Sequence, residues 1–279
     1  MLQALGGVIE PDELTKALKG VDLIGDVAII RLPKGWEEKK YKIGEGLIPL
    51  LPGVRCIFRQ TAPASVGDKV RGIEWLAGEK RTLTTYSEHG CRFRVDVAKV
   101  YFSPRLSWER LRVAKLAKRD EVIVNMFAGV GTFSIVMAKF SGISKVISID
   151  KSPEAFAFML ENIAMNEMGG IVMPILGDAK EVKDGLRGVA DRVLMPLPEL
   201  AIDYLPFALA YMKRAGCMHV YLHREGKNKK EALDRGINEI IECLGSSVII
   251  KRASGRVVRS VGRRIYQLVI DVELVKREY

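Results

Sequence analysis

The run Val122-Ile-Val-Asn-Met-Phe127 is apolar at five of its six positions. Ala128-Gly-Val-Gly131 then turns the chain into a helical stretch over residues 132–140. A strand with no polar alternation is buried on both faces, and a parallel sheet covered by helices provides such a place. The alternation continues. Residues 145–150 read as a second strand, 153–168 as a second helix, and 172–176, 192–195 and 218–223 as further strands separated by helical stretches. The pattern predicts an open α/β sheet. Its end departs from the rule: residues 246–252 and 265–274 are strand-like with no helix between them, which predicts an antiparallel hairpin at the sheet edge.

Before residue 118 the pattern is different. Residues 21–33 read as two strands about Gly25-Asp26, residues 37–51 have helical spacing, and 55–59, 70–76, 80–86 and 91–97 read as short strands punctuated by turns such as Glu88-His89-Gly90. This predicts a smaller α+β domain over 1–104, a linking helix over 105–118 and the α/β domain over 119–279. A chain of 279 residues suits about two domains.

Of these residues 48% are apolar and 28% charged, and no run approaches the roughly 18 apolar residues of a membrane span. The first residues lack a basic segment ahead of an apolar stretch, so no secretory leader is expected and a cytoplasmic location is. The net charge is +10 and uneven: residues 1–120 hold 22 basic against 15 acidic residues, and 121–279 hold 22 against 19. Such an excess fits a polyanionic partner such as nucleic acid, or simply a solvated basic face. Cys56, Cys91, Cys217 and Cys243 lack the close pairing of zinc sites, and His89, His219 and His223 are scattered. The cysteines are therefore expected to be reduced and mostly buried, and no metal is expected.

The glycines of Asn125-Met-Phe-Ala-Gly-Val-Gly-Thr-Phe-Ser134 follow a buried strand and open a helix, where backbone N–H groups can face a ligand without a Cβ in the way. Asp150 ends the next strand, placed to accept hydrogen bonds from ribose hydroxyls, and Gly177-Asp178 ends the third. In an open α/β sheet these strand ends converge on one crevice. The choice is between a nicotinamide dinucleotide and S-adenosylmethionine. Ser134 stands where the dinucleotide fingerprint places Gly or Ala, and the terminal hairpin is foreign to a plain dinucleotide fold. Both departures favour S-adenosylmethionine. A plainer reading keeps Asp150 and Asp178 as helix caps or loop residues.

Several segments resemble a known family: residues 22–33, Glu74-Trp-Leu-Ala-Gly-Glu79, residues 90–110 with Val-Tyr-Phe-Ser-Pro-Arg-Leu106, Met126-Phe-Ala-Gly-Val-Gly131 and Asp191-Arg-Val-Leu-Met195. The resemblance is to the archaeal and eukaryotic-type methyltransferases that modify N1 of guanosine at tRNA position 37, with their wyosine-pathway relatives. It implies a class I, Rossmann-like S-adenosylmethionine-dependent methyltransferase domain behind a tRNA-contacting α+β domain, acting as a monomer on the anticodon stem-loop. Many members carry a further RNA-binding domain ahead of the segment that matches Asp22 onward, and none is expected here.

Methylating N1 needs a base for its proton and a donor for the charge developing on O6. The resemblance implies Glu109 as the base, Arg71 as the O6 partner and Pro196 at a further catalytic position. It implies a cofactor site of Arg110, Phe127, Ala128, Gly129, Gly131, Asp150, Gly177, Asp178 and Pro196. The tRNA contacts would be Arg105, Pro198 and, from the basic hairpin, Arg256, Arg259 and Arg263. Plainer readings make Glu109 and Arg110 surface charges and pair Arg71 with Glu74. Lys251, Arg252, Arg256, Arg259, Arg263 and Arg264 fall in residues 251–270 without one acidic neighbour, which places a basic patch on the hairpin loop.

One position departs from the family. Members that methylate guanosine generally place Asn where Pro196 stands, and proline brings neither a side-chain donor nor a backbone N–H. This leaves open N1 of guanosine, a carbon of the tricyclic wyosine precursor, or both. Alternatives are transfer of the aminocarboxypropyl group by a related branch, and methylation of a small molecule or protein. A catalytically inactive tRNA-binding module is disfavoured, because Gly129, Gly131, Asp150 and Asp178 are all kept.

Overall fold

The computed structural model describes residues 20–62, 72–181 and 184–277, and the chain divides into two compact units, Met1–Ser107 and Trp108–Tyr279. Among the described residues no helix is long and apolar enough to cross a membrane.

The first unit is a four-stranded sheet in the order β1 (Asp22–Ile24), β2 (Val27–Ile30), β3 (Cys56–Ala62), β4 (Gly72–Gly78). Strands β1 and β2 form the hairpin expected about Gly25-Asp26, while β2 and β3 run parallel and so need a crossover. Helix α1 (Lys40–Leu47), flanked by short 3-10 turns, supplies it and buries Ile43 and Leu47 against Ala28, Ile30, Ile57 and Leu76. Gly44 faces the sheet: a Cβ there would lie 2.7 Å from the Leu76 Cβ, so the missing side chain sets how closely helix and sheet approach. A separate hairpin, β5 (Leu83–Glu88) and β6 (Cys91–Asp96), turns on His89 and Gly90. Both have positive φ, the conformation that two-residue hairpin turns require.

The second unit begins within α2 (Ser107–Leu116) and holds a seven-stranded sheet. Its strands are β7 (Val122–Asn125), β8 (Lys145–Asp150), β9 (Val172–Leu176), β10 (Ala190–Met195), β11 (Met212–Glu225), β12 (Val248–Gly262) and β13 (Ile265–Lys276), in the spatial order β12-β13-β11-β10-β7-β8-β9. The first five are mutually parallel where they pair, and β13 inserts antiparallel between β11 and β12. Helices α3 (Thr132–Phe140), α4 (Pro153–Met165), α5 (Ala201–Tyr211) and α6 (Lys229–Leu244) intervene as the alternation predicts. Their starts are written locally. Ser152 caps α4 by accepting from the Ala155 N–H with Pro153 next to it, and Asn228 caps α6 by accepting from the Glu231 N–H.

The terminal hairpin is longer than the pattern suggests. The expected loop between 252 and 265 is instead the far half of β12, and only Arg263 and Arg264 remain in the turn. The reason is cross-strand pairing: β12 keeps its ladder with β13 from Val248 to Gly262 by absorbing three register shifts, so a polar segment becomes strand because it has a partner. Lys251, Arg252, Arg256 and Arg259 of the basic patch therefore lie along a strand, and Arg263 and Arg264 on the turn.

Candidate functional site

The sheet reverses its strand order at β7, which has β8 on one side and β10 on the other. The loops after β7, β8, β9 and β10 thus meet at one crevice, the place where such sheets take ligands. The first loop is fixed from below by a buried trio: Asn125 Nδ2 donates to Ser134 Oγ at 3.1 Å, and Ser148 Oγ donates to the same oxygen at 2.7 Å. This accounts for Ser134 at the fingerprint position, since its hydroxyl ties β7, α3 and β8 together where Gly or Ala would remove the buried partner shared by Asn125 and Ser148. Asn162 of α4 donates to the Val130 carbonyl at 3.0 Å from the other side.

Above this base the loop needs its glycines. Gly129 and Gly131 have φ of 55° and 87°, the left-handed region, and Gly131 caps α3. A Cβ at Gly129 or at Gly177 would meet no atom within 4 Å, so both backbones border open space. Asp150 stands across from them. Its Oδ2 accepts from the Gly129 N–H at 2.6 Å and its Oδ1 from the Ser152 N–H at 3.0 Å. Phe127 meets the Tyr204 ring edge-on at 4.9 Å, and Tyr204 donates to Asp178 at 2.8 Å. Burial and the Asp178 carboxylate hold the Tyr204 hydroxyl well above its ordinary range, so it remains a donor. Lys180 lies 4.8 Å over the same ring. Ala128 is buried, with its N–H on the Ile149 carbonyl. Pro196 is half-buried and Pro198 buried in the loop after β10.

Glu109 and Arg110, only 3% and 2% exposed, are not surface charges. The Glu109 carboxylate is held by three side chains. Arg112, one turn along α2, donates from Nε at 3.0 and 3.1 Å and from Nη2 at 2.7 Å; Tyr221 on β11 donates its hydroxyl at 2.9 Å; and Arg256 on β12 pairs at 3.3 Å. Burial, with the neighbouring carboxylate, keeps the Tyr221 hydroxyl protonated far above its usual range.

The sheet edge β11-β13-β12, which carries Tyr221 and Arg256, has two chemically distinct faces. Pairing aligns His219 with Asp271 and Ser254, Tyr221 with Val269 and Arg256, and His223 with Gln267 and Arg259. Successive residues alternate faces, so these three rows share one polar face. The opposite face, Leu222, Leu268 and Ile270, packs under Gly236 of α6. In the first row Arg112 donates to Asp271 at 2.7 and 3.2 Å, and His219 Nδ1 lies 2.5 Å from the same carboxylate. Burial would raise the Asp271 carboxyl, but His219 and Arg112 hold it well below the usual carboxylate range. The Asp271 carboxylate likewise raises the proton affinity of His219 against the effect of burial. Arg192 Nη1 lies 2.6 Å from His219 Nε2, and a guanidinium only donates, so Nε2 accepts and the ring keeps its one proton on Nδ1, toward Asp271. Arg192 is paired in turn with Glu121.

The expected tRNA contacts are dispersed. Arg263 is exposed at the hairpin turn, Arg259 donates to Gln267 at 2.6 Å, and Arg256, half-exposed, sits against Glu109. In the first unit Arg105 donates to the buried carboxylate of Asp22 at 2.6 Å. Arg71 lies outside the described residues, and the Glu74 carboxylate is engaged by Lys40 and Arg59. Sequence reasoning missed Arg112, Tyr204, Tyr221, His219 and Asp271. Two traces of them were present: the three-residue spacing of Glu109 and Arg112, and the isolated polar residues His219 and Asp271 inside apolar strands.

Comparison with known proteins agrees with this geometry. Residues 84–248 match the model of the TRM5/TYW2 methyltransferase domain, and residues 1–82 match that of the TYW2 N-terminal domain. The chain is 36% identical over 263 residues to the tRNA (guanine(37)-N(1))-methyltransferase Trm5b of Pyrococcus abyssi, spanning 94% of this chain and 77% of that protein. It is 35% identical over 260 residues to the tRNA 4-demethylwyosine(37)-methyltransferase Taw21 of Saccharolobus solfataricus, spanning 91% of this chain and 94% of the relative. A solved complex of aTrm5 and tRNALeu superposes with a TM-score of 0.80 at 34% identity, covering 91% of this chain and 71% of that one. The parallel sheet with its inserted antiparallel strand, the glycine loop facing Asp150 and the match over more than half the chain lead to one assignment: the protein belongs to the TRM5/TYW2 methyltransferase family.

Proposed function

We propose that the protein transfers the methyl group of S-adenosylmethionine to the purine at position 37 of tRNA, at N1 of guanosine, at a carbon of the tricyclic wyosine precursor, or at both. The observation that carries this reading is Glu109, a buried carboxylate of α2 held by Arg112 of the same helix and by Tyr221 and Arg256 of the methyltransferase sheet. In this reading residues 1–104 contact tRNA, 105–118 link, and 119–279 carry the chemistry, in a cytoplasmic monomer.

The crevice fits the cofactor. Open space beside Gly129 and Gly177 admits it, the Asp150 carboxylate at the end of β8 is the acceptor for ribose hydroxyls, and Phe127 and Asp178 supply an apolar wall and an acceptor. When bound, S-adenosylmethionine supplies an electrophilic methyl group on a sulfonium. Arg110, Ala128, Gly131 and Pro196 complete this site. Glu109 takes the proton that N1 loses, and Arg71 donates to O6 as charge develops there. Arg105, Pro198, Arg256, Arg259 and Arg263 position the RNA, the arginines through phosphates, which orient it without reading sequence. Pro196 offers the base edge no amide, which suits a substrate bulkier than guanosine.

A second reading, transfer of the aminocarboxypropyl group, is favoured by the match of residues 1–82 to a TYW2 N-terminal domain. One assay separates the readings. The protein is incubated with S-adenosylmethionine and tRNA bearing guanosine, adenosine or the tricyclic precursor at position 37, and the nucleosides are weighed. A methyl increment on guanosine or the precursor is expected; an aminocarboxypropyl increment selects the second reading, and no incorporation into any tRNA overturns both. Pro196→Asn is expected to shift preference toward unmodified guanosine by about tenfold, the scale of one hydrogen bond to a base edge. An unchanged ratio removes Pro196 from substrate choice.

A further inference from the structure

We propose that Arg112 is the positioning residue for the Glu109 carboxylate and that Asp271 aims Arg112, so that the base is oriented from strand β13 across the sheet. This rests on the reading of Glu109 as the base.

Among the described residues three groups face Glu109, from three elements: Arg112 on its own helix, Tyr221 on β11 and Arg256 on β12. They are not equivalent. Tyr221 gives one neutral hydrogen bond, and Arg256 gives one contact at 3.3 Å from a side chain that is 50% exposed. Arg112 alone reaches both carboxylate oxygens among these three, through Nε and Nη2. Its remaining edge, Nη1 with Nη2, lies on the two oxygens of Asp271. A guanidinium is a rigid plane, so a carboxylate on each of two edges fixes that plane. Burial would lower the affinity of Arg112 for its proton, but the Asp271 and Glu109 carboxylates more than reverse this, and it stays charged.

Asp271 is itself anchored. Its Oδ1 takes the Nδ1 proton of His219, whose Nε2 accepts from Arg192, and Arg192 is 5% exposed and paired with Glu121. The row runs Glu109, Arg112, Asp271, His219, Arg192, Glu121. Stability alone does not call for such a row, because replacing buried ion pairs by well-packed apolar side chains is often neutral or stabilising. A requirement to hold one carboxylate in one orientation does account for it. Catalytic groups are sensitive to this: a shift of about 1 Å can cost on the order of a hundredfold in rate.

The test is single-turnover methyl transfer to tRNA by the full-length protein, followed against pH, with melting curves for every variant. Asp271→Asn keeps an acceptor for His219 but turns an N–H₂ toward Arg112 Nη1. It is expected to lower the transfer rate roughly tenfold while leaving KM for tRNA and cofactor within about twofold. Arg112→Lys, a point charge in place of a fork, is expected to lower the rate by about a hundredfold and to retain more activity than Arg112→Ala. It should also move the acid limb of the rate profile to higher pH, because a carboxylate that loses hydrogen bonds to its charged form is protonated more readily. Wild-type rates and acid limbs in folded Asp271→Asn and Arg112→Lys overturn the proposal, as does a loss carried wholly by KM or by melting. If the Arg112 variants do not fold, Asp271→Asn decides. No transfer by the wild type overturns the proposed function instead, and full-rate transfer by Glu109→Ala overturns the base.

Discussion

The glycine crevice and the polar face of the C-terminal hairpin lie in the same sheet but are built in opposite ways. The crevice is made of backbone: two glycines with positive φ, N–H groups on Asp150, and a buried Asn125–Ser134–Ser148 trio beneath. These three features fall within residues 125–152. The polar face is made of side chains from distant segments: Glu109 and Arg112, His219 and Tyr221, Arg256 and Asp271. A backbone site needs glycines at fixed offsets, so it leaves a motif. A side-chain site needs only that a register bring the right residues together, so it leaves scattered charges that resemble any others.

This contrast can be broken at either end. The largest effect is expected at Glu109. Glu109→Ala should reduce single-turnover methyl transfer by about a hundredfold to ten-thousandfold, with cofactor affinity by calorimetry nearly unchanged. A comparable loss in cofactor affinity would mean that the hairpin face and the crevice are one binding site.

At the crevice, Ser134→Ala should destabilise the fold by about 1–3 kcal/mol, since Asn125 and Ser148 lose their shared buried partner. Thermal melting measures it. A shift under about a degree would show that the loop is held by its glycines alone.

The smallest effect should appear only in acid. Asp271 has its carboxyl well below the ordinary range when folded, so its contribution is fully present above the unfolded carboxylate value of about 3.9 and fades as pH falls toward the folded one. Melting temperature should therefore fall more steeply with acidification in the wild type than in Asp271→Asn. Parallel slopes would mean that Asp271 gains nothing from His219 and Arg112.

Much of the architecture was legible. The apolar runs at Val122–Asn125 and Lys145–Asp150 named a parallel sheet, and Gly129, Gly131 and Asp150 located its crevice. The hairpin was legible as a hairpin but not in extent. Residues 252–262 are too polar to read as strand, and they are strand because β13 offers them a ladder. Arg256 was legible as a cation for phosphate, but its place 3.3 Å from Glu109 was not legible. Helix α2 was read as a linker with charged residues, yet Glu109 and Arg110 are almost completely buried. Charge in a sequence predicts exposure only until a partner exists, and two partners of Glu109, Tyr221 and Arg256, lie more than a hundred residues away.

The amino-acid sequence by itself determined the α/β alternation, the glycine loop and the acidic strand end, because periodicity and φ restrictions act within a few residues of one another. Tertiary structure alone decided which charges face each other. Cross-strand register aligned Tyr221 with Arg256 and His219 with Asp271, and α2 brought Glu109 and Arg112 onto that face. The physical reason is range: backbone conformation is a local property, whereas a buried charge is tolerated only where separate elements bring it a counter-charge.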